Sequence, residues 1–250
     1  VSLIERHQEI LRILSHRGKL TVQELSTRLQ VSEVTIRKDL SLLEEMGHLI
    51  RTRGGAIPAA KKEFLHPIAL RRTEHLPEKQ AIARKAKEFI QEGDTLYLDS
   101  GSTTQALATL LVEMSLRVVT NSVDIVLTLE KAPSIAVYCV GGSYRKDAGS
   151  FIGPLALDGL KNFRIDTCFI GTTGFSTDGT FSSQNIFESD VKRQALKLSN
   201  RKILLADSSK YGREAFSVFA TAEDIDLLIS DKKLGELADI GKFPCEVILC

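Results

Sequence analysis

Between residues 21 and 47 two helix-forming segments are separated by only three residues, and few folds accommodate so short a joint. Thr21 stands at an N-cap position, and Glu24 three residues later completes a capping box. Leu25 and Leu29 give that helix its buried stripe, and residues 30–32 form the turn. Ser32 caps the next helix, and Gly47 sits where a C′ glycine ends one. Helices joined this closely must cross, which is the helix-turn-helix arrangement. Upstream, Ile4, Ile10, Ile13 and Leu14 recur at helical spacing until Gly18, supplying a further helix for a small core.

Turned at about 100° per residue, the helix after Ser32 sorts into two faces. Ile36, Leu40 and Leu43 fall together and must pack inward, while Val34, Arg37, Lys38 and Ser41 lie opposite, with Thr35 on the flank. The first turns of such a helix are the part that reaches base edges in a major groove. Arg37 and Lys38 suit a guanine edge or a phosphate, and Val34 suits a thymine methyl. A solvated basic face is the competing reading; the capped helix and tight turn that precede it weigh against it. Beyond Gly47 the run HLIRTRGGA alternates apolar and polar residues and is expected to turn at Gly54-Gly55. That predicts a two-stranded wing offering Arg51 and Arg53 to the backbone or the minor groove, rather than a plain surface hairpin. The expected DNA-contacting residues are Ser32, Val34, Thr35, Arg37, Lys38, Ser41, Arg51, Arg53 and Gly54, and the expected partner is a double-stranded DNA operator.

Net charge is only +1, and residues 1–58 carry nine Lys/Arg against seven Asp/Glu. DNA affinity must therefore come from local placement of charge. Hydrophobic content of 43% with 26% charged residues is ordinary for a globular chain with a real core. No apolar run approaches the roughly 18 residues that span a bilayer, and no signal-peptide segment opens the chain, so a cytoplasmic protein without a membrane partner is expected. The four cysteines contain no C-x-x-C pair, so no metal site or cofactor is expected.

The N-terminal segment resembles the winged helix-turn-helix of the DeoR family of bacterial transcriptional regulators. The resemblance is carried by S-x-x-T-I-R-x-D-L followed by L-x-R-x-x-G-G-A, here SEVTIRKDL and LIRTRGGA. Lys38 stands where the family often has Arg, and Arg53 where it often has His. Both keep positive charge available, so the departures bear on operator preference rather than on DNA binding.

Residues 59–77, with Pro67 and Pro77, read as a linker between residues 1–58 and a larger domain over 78–250. Phe64, Leu65, Ile68 and Leu70 are too apolar for a free tether and are expected to dock on a domain surface or a second subunit. Arg71 and Arg72 either close over a ligand or form surface ion pairs; the surface role is favoured.

From residue 78 helix-like and strand-like segments alternate. A helix over 78–91 leads to strands near 95–98, 117–120, 135–140, 167–170, 203–206, 227–229 and 247–249. Helices over 103–111 and 187–198 are the clearest of those between them. The fold class is therefore α/β, with a largely parallel sheet covered on both faces. Ligands of such sheets bind beyond the carboxyl ends of the strands, where this chain has DSGSTT, TNS, Gly141-Gly142, GTTG and DSSK. Gly101 lets backbone approach a ligand, and Ser100, Ser102, Thr103 and Thr104 with the following helix amides offer donors to an anion. Asn121, Gly141, Gly142 and Gly171 complete the expected rim; Lys192 and Lys210 are candidates for phosphate charge, Asp99 and Asp207 for sugar hydroxyls.

This half also resembles the DeoR family, through DSGSTT, VVTNS, Gly-Gly followed by Arg145, SDVKR and LLADSSKYG. The resemblance implies an effector domain similar in fold to ribose-5-phosphate isomerase, with a phosphorylated sugar as effector. It also favours a repressor of carbohydrate metabolism genes, released by that ligand and working as a homo-oligomer, dimer or tetramer. The same fold suggests a second reading, a sugar-phosphate isomerase or deaminase carrying a DNA-binding module. Isomerisation needs a general base, and no histidine follows His75. Where the isomerases place acidic residues this chain has Gly-Thr-Thr-Gly, although Glu188, Asp190, Asp99 and Asp207 remain as bases. A nucleotide-binding protein is a third reading, but no G-x-G-x-x-G follows a strand. A regulator without catalytic residues is the expectation.

Overall fold

The computed structural model describes residues 3–45, 49–58 and 68–250, and its chain divides into two compact units, 1–66 and 67–250. The expected C′ glycine, Gly47, and the docking residues Phe64 and Leu65 lie outside the described residues.

The N-terminal unit contains α1 (Leu3–Arg17), β1 (Leu20–Thr21), α2 (Val22–Leu29), α3 (Glu33–Glu45), β2 (Leu49–Thr52) and β3 (Gly55–Pro58). Gly18 ends α1 at φ +72°, a conformation that strains any residue with a Cβ. Thr21 and Glu24 form the capping box: the Glu24 amide donates to Thr21 Oγ1 at 3.2 Å, and the Thr21 amide to Glu24 Oε2 at 2.7 Å. Ile10, Ile13, Leu14, Leu25, Ile36, Leu40 and Leu43 meet in one buried core. The wing has a third strand that the sequence did not announce, because β1 pairs with β3 in an antiparallel sheet of order β1-β3-β2. Its turn is Arg53-Gly54, one residue earlier than expected; Gly54 takes φ +95° and Gly55 already belongs to β3. A Cβ on Gly55 would lie 2.0 Å from the Leu20 carbonyl oxygen, so this glycine is what lets β1 approach.

The C-terminal unit opens with α4 (Ile68–Arg71) and α5 (Leu76–Lys87), so residues 68–77, expected as linker, are built into this unit. There follow β4 (Thr95–Leu98), α6 (Ser102–Thr109), β5 (Leu116–Thr120), α7 (Val123–Leu129) and β6 (Ile135–Cys139). A hairpin of β7 (Ser143–Arg145) and β8 (Ser150–Ile152) leads to α8 (Pro154–Leu160) and β9 (Ile165–Gly171). Then come β10 (Gly174–Phe175), β11 (Thr180–Ser183), α9 (Ile186–Leu198), β12 (Ser199–Leu205) and β13 (Ser217–Thr221). The described chain closes with β14 (Leu227–Ser230), α10 (Leu234–Leu237) and β15 (Glu246–Leu249).

Seven strands form one sheet in the order β15-β14-β12-β9-β4-β5-β6, every neighbouring pair parallel. A parallel sheet buries both faces, and successive residues of β4 show it. Leu96 and Leu98 pack with Ile82, Ala83, Leu107 and Ile125 on one side, while Tyr97 packs with Ala156, Val191 and Phe175 on the other. The small sheet β10-β11-β13 belongs to the second side through Phe175, Phe181 and Phe219. Strands β4, β5 and β6 step one way along the sheet, and β9, β12, β14 and β15 step the other. The chain thus reverses between β4 and β9, and the loops beyond their carboxyl ends diverge to leave a crevice.

Candidate functional site

Two surfaces bear on function, one in each unit. In the N-terminal unit, α3 turns Ile36, Leu40 and Leu43 inward and leaves Arg37, Lys38 and Val34 exposed, Val34 at 61%. Thr35 and Ser41 lie half-buried at the border of that face. Ser32 accepts from the Thr35 amide at 3.2 Å and so acts as the cap. Arg37 Nη2 lies 2.6 Å from Glu33 Oε2 one turn back, an exposed pair worth less than about 1 kcal/mol and easily exchanged for a phosphate or base. Arg51 clips the wing onto α3, its amide donating to Glu44 Oε1 at 2.8 Å and its Nη1 to Ser41 Oγ at 2.8 Å. Arg53 and Gly54 stand exposed at the wing tip.

Behind this face lies a group the sequence reading passed over. Asp39, 2% exposed, accepts from Arg6 Nε at 2.5 Å and Arg6 Nη2 at 3.1 Å, and its Oδ1 lies 3.1 Å from His7 Nε2. The buried carboxylate therefore fixes α3 against α1. Its signal was available: a charged residue adjacent to Leu40 and three beyond Ile36 falls on the inward face.

In the C-terminal unit the crevice between β4 and β9 is lined by residues 100–104, 171–173 and 205–207, by Lys210, by Glu188 and Lys192 of α9, and by Arg71 and Lys79. Gly101, extended at φ −173°, precedes α6 without a side-chain cap, so the first amides of that helix are left for another acceptor. Thr104 does not serve a ligand as a donor: its hydroxyl donates back to the Asp99 carbonyl at 2.6 Å and shapes the loop. Thr172 is likewise turned inward, to the carbonyls of Gly174 and Ser182 at 2.8 and 2.9 Å. Ser100 Oγ and Asp207 Oδ2 are buried and have no hydrogen-bond partner among the described residues. Buried polar atoms left without partners normally acquire them from water or ligand.

The basic groups share one electrostatic condition. Burial pushes the Lys79 ammonium down to about 8, with Lys210 and Arg71 adding repulsion against Asp207 and Glu74. Burial also lowers Lys210, with Asp207 opposing, and lowers Arg71, with Glu188 opposing. Three cations are thus held out of water around one crevice.

Several expected rim residues are placed differently. Lys192, 2% exposed, turns its ammonium to Asp99 and donates to the Gly171 carbonyl at 2.9 Å. Lys192 thus lines the crevice as expected, with its ammonium paired to Asp99. Asp99 is wholly buried beneath the crevice rather than lining it, and also accepts from the Gly171 amide at 3.1 Å. Burial pushes the Asp99 carboxyl up, and Lys192 works against that shift. Asn121 is wholly buried, accepting from Tyr97 Oη at 3.1 Å and donating to the Phe151 carbonyl at 3.1 Å. Gly141 and Gly142 stay out of the crevice too, and Gly142 at φ +133° would carry a Cβ 2.5 Å from the Ile152 carbonyl oxygen. At Asn121 and Gly142 the cause is the β7–β8 hairpin, which packs against the end of β5 and against Gly142; Gly141 instead stands exposed.

Arg71 lines the crevice instead of taking the favoured surface role, whereas Arg72 does form an ion pair, with Asp124 at 2.5 Å. Lys79 was not anticipated at all. Its signal is its phase, since it precedes Ile82, Ala83 and Ala86 by three, four and seven residues and so lies on the buried stripe of α5. Glu188, considered only as a catalytic base, accepts from Arg145 Nη1 at 2.8 Å and lies 3.6 Å from Lys192, so both its oxygens face cations.

Comparison with known proteins agrees with this division. A profile described as "DeoR-like helix-turn-helix domain" matches residues 6–62, and one described as "DeoR C terminal sensor domain" matches residues 74–232. The uncharacterized HTH-type transcriptional regulator YulB of Bacillus subtilis (strain 168) is 35% identical over 230 residues, 92% of this chain and 89% of its own. The glycerol-3-phosphate regulon repressor of Escherichia coli (strain K12) is 33% identical over 91% of this chain and 90% of its own. Among solved structures, D-ribose-5-phosphate isomerase in complex with phospho-erythronic acid is similar over 53% of this chain and 52% of its own, at 18% identity and a TM-score of 0.40. These relatives in sequence are named as transcriptional regulators and repressors, not as enzymes.

Proposed function

This chain belongs to the DeoR family of DNA-binding transcriptional regulators, and from that premise we propose that it represses carbohydrate metabolism genes under control of a phosphorylated sugar held between β4 and β9. The observation that carries the reading is that the desolvated cations Arg71, Lys79 and Lys210 line one crevice together with the uncapped start of α6. A phosphate there gains charge-assisted hydrogen bonds and relieves the cations' mutual repulsion. Asp207 Oδ2 and Ser100 Oγ then supply the partners that sugar hydroxyls require. That the Escherichia coli relative is named for glycerol 3-phosphate supports a small phosphorylated effector.

The α3 face and the wing are the DNA-reading surface, with Arg37 and Lys38 at the bases and Arg51 and Arg53 at the backbone or minor groove. A single winged helix with so little net charge holds DNA weakly, so we assign tight binding to a dimer or tetramer that sets two copies at the spacing of a repeated operator. Such a repressor meets its operator in the bacterial cytoplasm. Effector binding shifts the population toward an arrangement that no longer fits that spacing. A change from 1:99 to 99:1 requires about 5.5 kcal/mol of differential effector binding.

The test is selection of genomic fragments by the full chain, followed by titration of the bound fragments with sugar monophosphates. Fragments upstream of carbohydrate genes, released by one sugar phosphate, are the expected result. Fragments that no sugar phosphate releases would overturn the effector assignment.

A further inference from the structure

A single large apolar residue in solvent is ordinary on a protein surface, and Leu127 of α7 is one such. Around the first turn of α9 they gather instead. Ile186 and Phe187 open that helix, each 49% exposed, and Phe216 and Val218, 79% and 51% exposed, stand where β13 begins. Two bonds hold these segments side by side. Ser189 Oγ donates to the Ser217 carbonyl at 3.1 Å, and Arg193 Nη1 donates to the Val218 carbonyl at 2.5 Å. Ile186 lies on the same face of α9 as Ser189 and Arg193, since residues three and seven apart stack along a helix. The four side chains therefore share one face of the C-terminal unit.

Its size matches a purpose. A whole phenylalanine presents roughly 200 Å², so the four together leave roughly 400 Å² in solvent. Apolar patches of a few hundred Å² mark contact surfaces, and a stable interface takes about 800 Å² from each partner, somewhat over half of it apolar. This face supplies most of that apolar share. Its rim carries both signs: Asp190 and Arg193, paired at 2.6 Å on α9, and Arg213 and Glu214 just before Phe216. A rim of one sign would repel its own copy, whereas a mixed rim lets a two-fold partner set basic against acidic residues. The β13 edge is not free for strand addition here, because the Ser217 and Val218 carbonyls already accept from α9. A partner therefore meets side chains. The inner side of α9 turns Glu188 and Lys192 to the crevice, so the face and the crevice share one helix.

We infer that a second copy of the chain docks on this face, the same face of each copy meeting the other, with Phe216 as the main apolar anchor. The inference rests on the reading of the protein as a homo-oligomer.

The experiment is sedimentation equilibrium of the full chain, with circular dichroism to check folding. The wild type should assemble to a dimer or tetramer. Phe216→Glu and Ile186→Arg place a charge on each of the two segments and, both side chains being exposed, leave the core intact. Each should weaken self-association a hundredfold or more, leaving half the wild-type mass or less where the wild type is fully assembled. Leu127→Glu, a charge on an apolar residue outside the face, should keep the wild-type mass. Hydrogen exchange of the wild type above and below its dissociation constant needs no variant, and should show residues 186–193 and 213–218 protected by assembly. A folded variant of either kind that keeps the wild-type mass overturns the inference while the oligomer reading stands, and gives the face to another occupant, such as Phe64 and Leu65 of the same chain. Assembly that leaves exchange at 186–193 and 213–218 unchanged, or that Leu127→Glu weakens equally, overturns it too. A wild type that stays monomeric at every concentration overturns the oligomer reading and the inference with it.

Discussion

The proposed DNA-reading face and the proposed effector crevice are built in opposite ways. The first comes from a single stretch of chain: one helix supplies Val34, Arg37, Lys38 and Ser41, and the next hairpin supplies Arg51 and Arg53. Helical and strand periodicity therefore sort its residues before any tertiary contact is known. The crevice gathers residues 71, 79, 100–104, 171–173, 188, 192, 205–207 and 210 from six separated segments. Its membership is set by sheet order and by whatever else competes for the strand ends. Exposure differs as well: the α3 face holds its charges in solvent, whereas the crevice strips water from three cations.

The contrast predicts where damage should fall, and the largest effect belongs to the crevice floor. Lys192→Ala leaves Asp99 buried without its cation and should cost the C-terminal unit about 3–5 kcal/mol in urea unfolding. All four tyrosines lie beyond residue 66, so tyrosine fluorescence follows that unit alone. A loss below 1 kcal/mol would mean that the pair does not hold the floor together. The counterpart in the N-terminal unit is Asp39→Asn, which weakens charge-assisted bonds to Arg6 and should cost about 2 kcal/mol. That loss should appear in the N-terminal helices, by hydrogen exchange, with the tyrosine-reported transition unmoved. A shift in both units would break the independence on which the comparison stands.

Next in size is Arg37→Ala, which should cost about 1–3 kcal/mol of specific DNA binding with neither unit destabilised. Equal binding to a selected fragment would remove α3 from the reading face. The smallest effect is on pH. Burial pushes the Lys79 ammonium down to about 8, and a bound anion must raise it. Binding therefore takes up protons near and above pH 8, and phosphate affinity should fall severalfold as pH rises from about 7 to 9. Calorimetry in two buffers of different ionisation enthalpy checks the proton uptake; none at pH 8 would separate Lys79 from the anion site.

How much of this was legible follows from the same difference in construction. The capping box at Thr21 and Glu24, the inward stripe of α3 and all seven strands of the large sheet were readable, because each depends on neighbours in sequence. Within the crevice, the 100–104 loop was readable because a strand, a glycine and a helix start follow one another directly. Asn121, Gly141 and Gly142 were misplaced because a polar or small residue after a strand serves a ligand, a packed hairpin or the exposed surface equally well, and strands of three residues leave no periodic trace. Lys192 does line the crevice, but its pairing was not legible. Its type announces a positive charge, but only the fold reveals that Asp99, 93 residues away, already neutralises it.

The most direct test of the central claim is hydrogen–deuterium exchange of the full chain with and without sugar monophosphates, read at peptide resolution. The account predicts that a binding sugar phosphate protects residues 100–104, 171–173 and 207–210, and leaves the ends of β5 and β6 near Asn121 and Gly141 unchanged. Protection centred on those latter loops, or confined to the N-terminal unit, would contradict it.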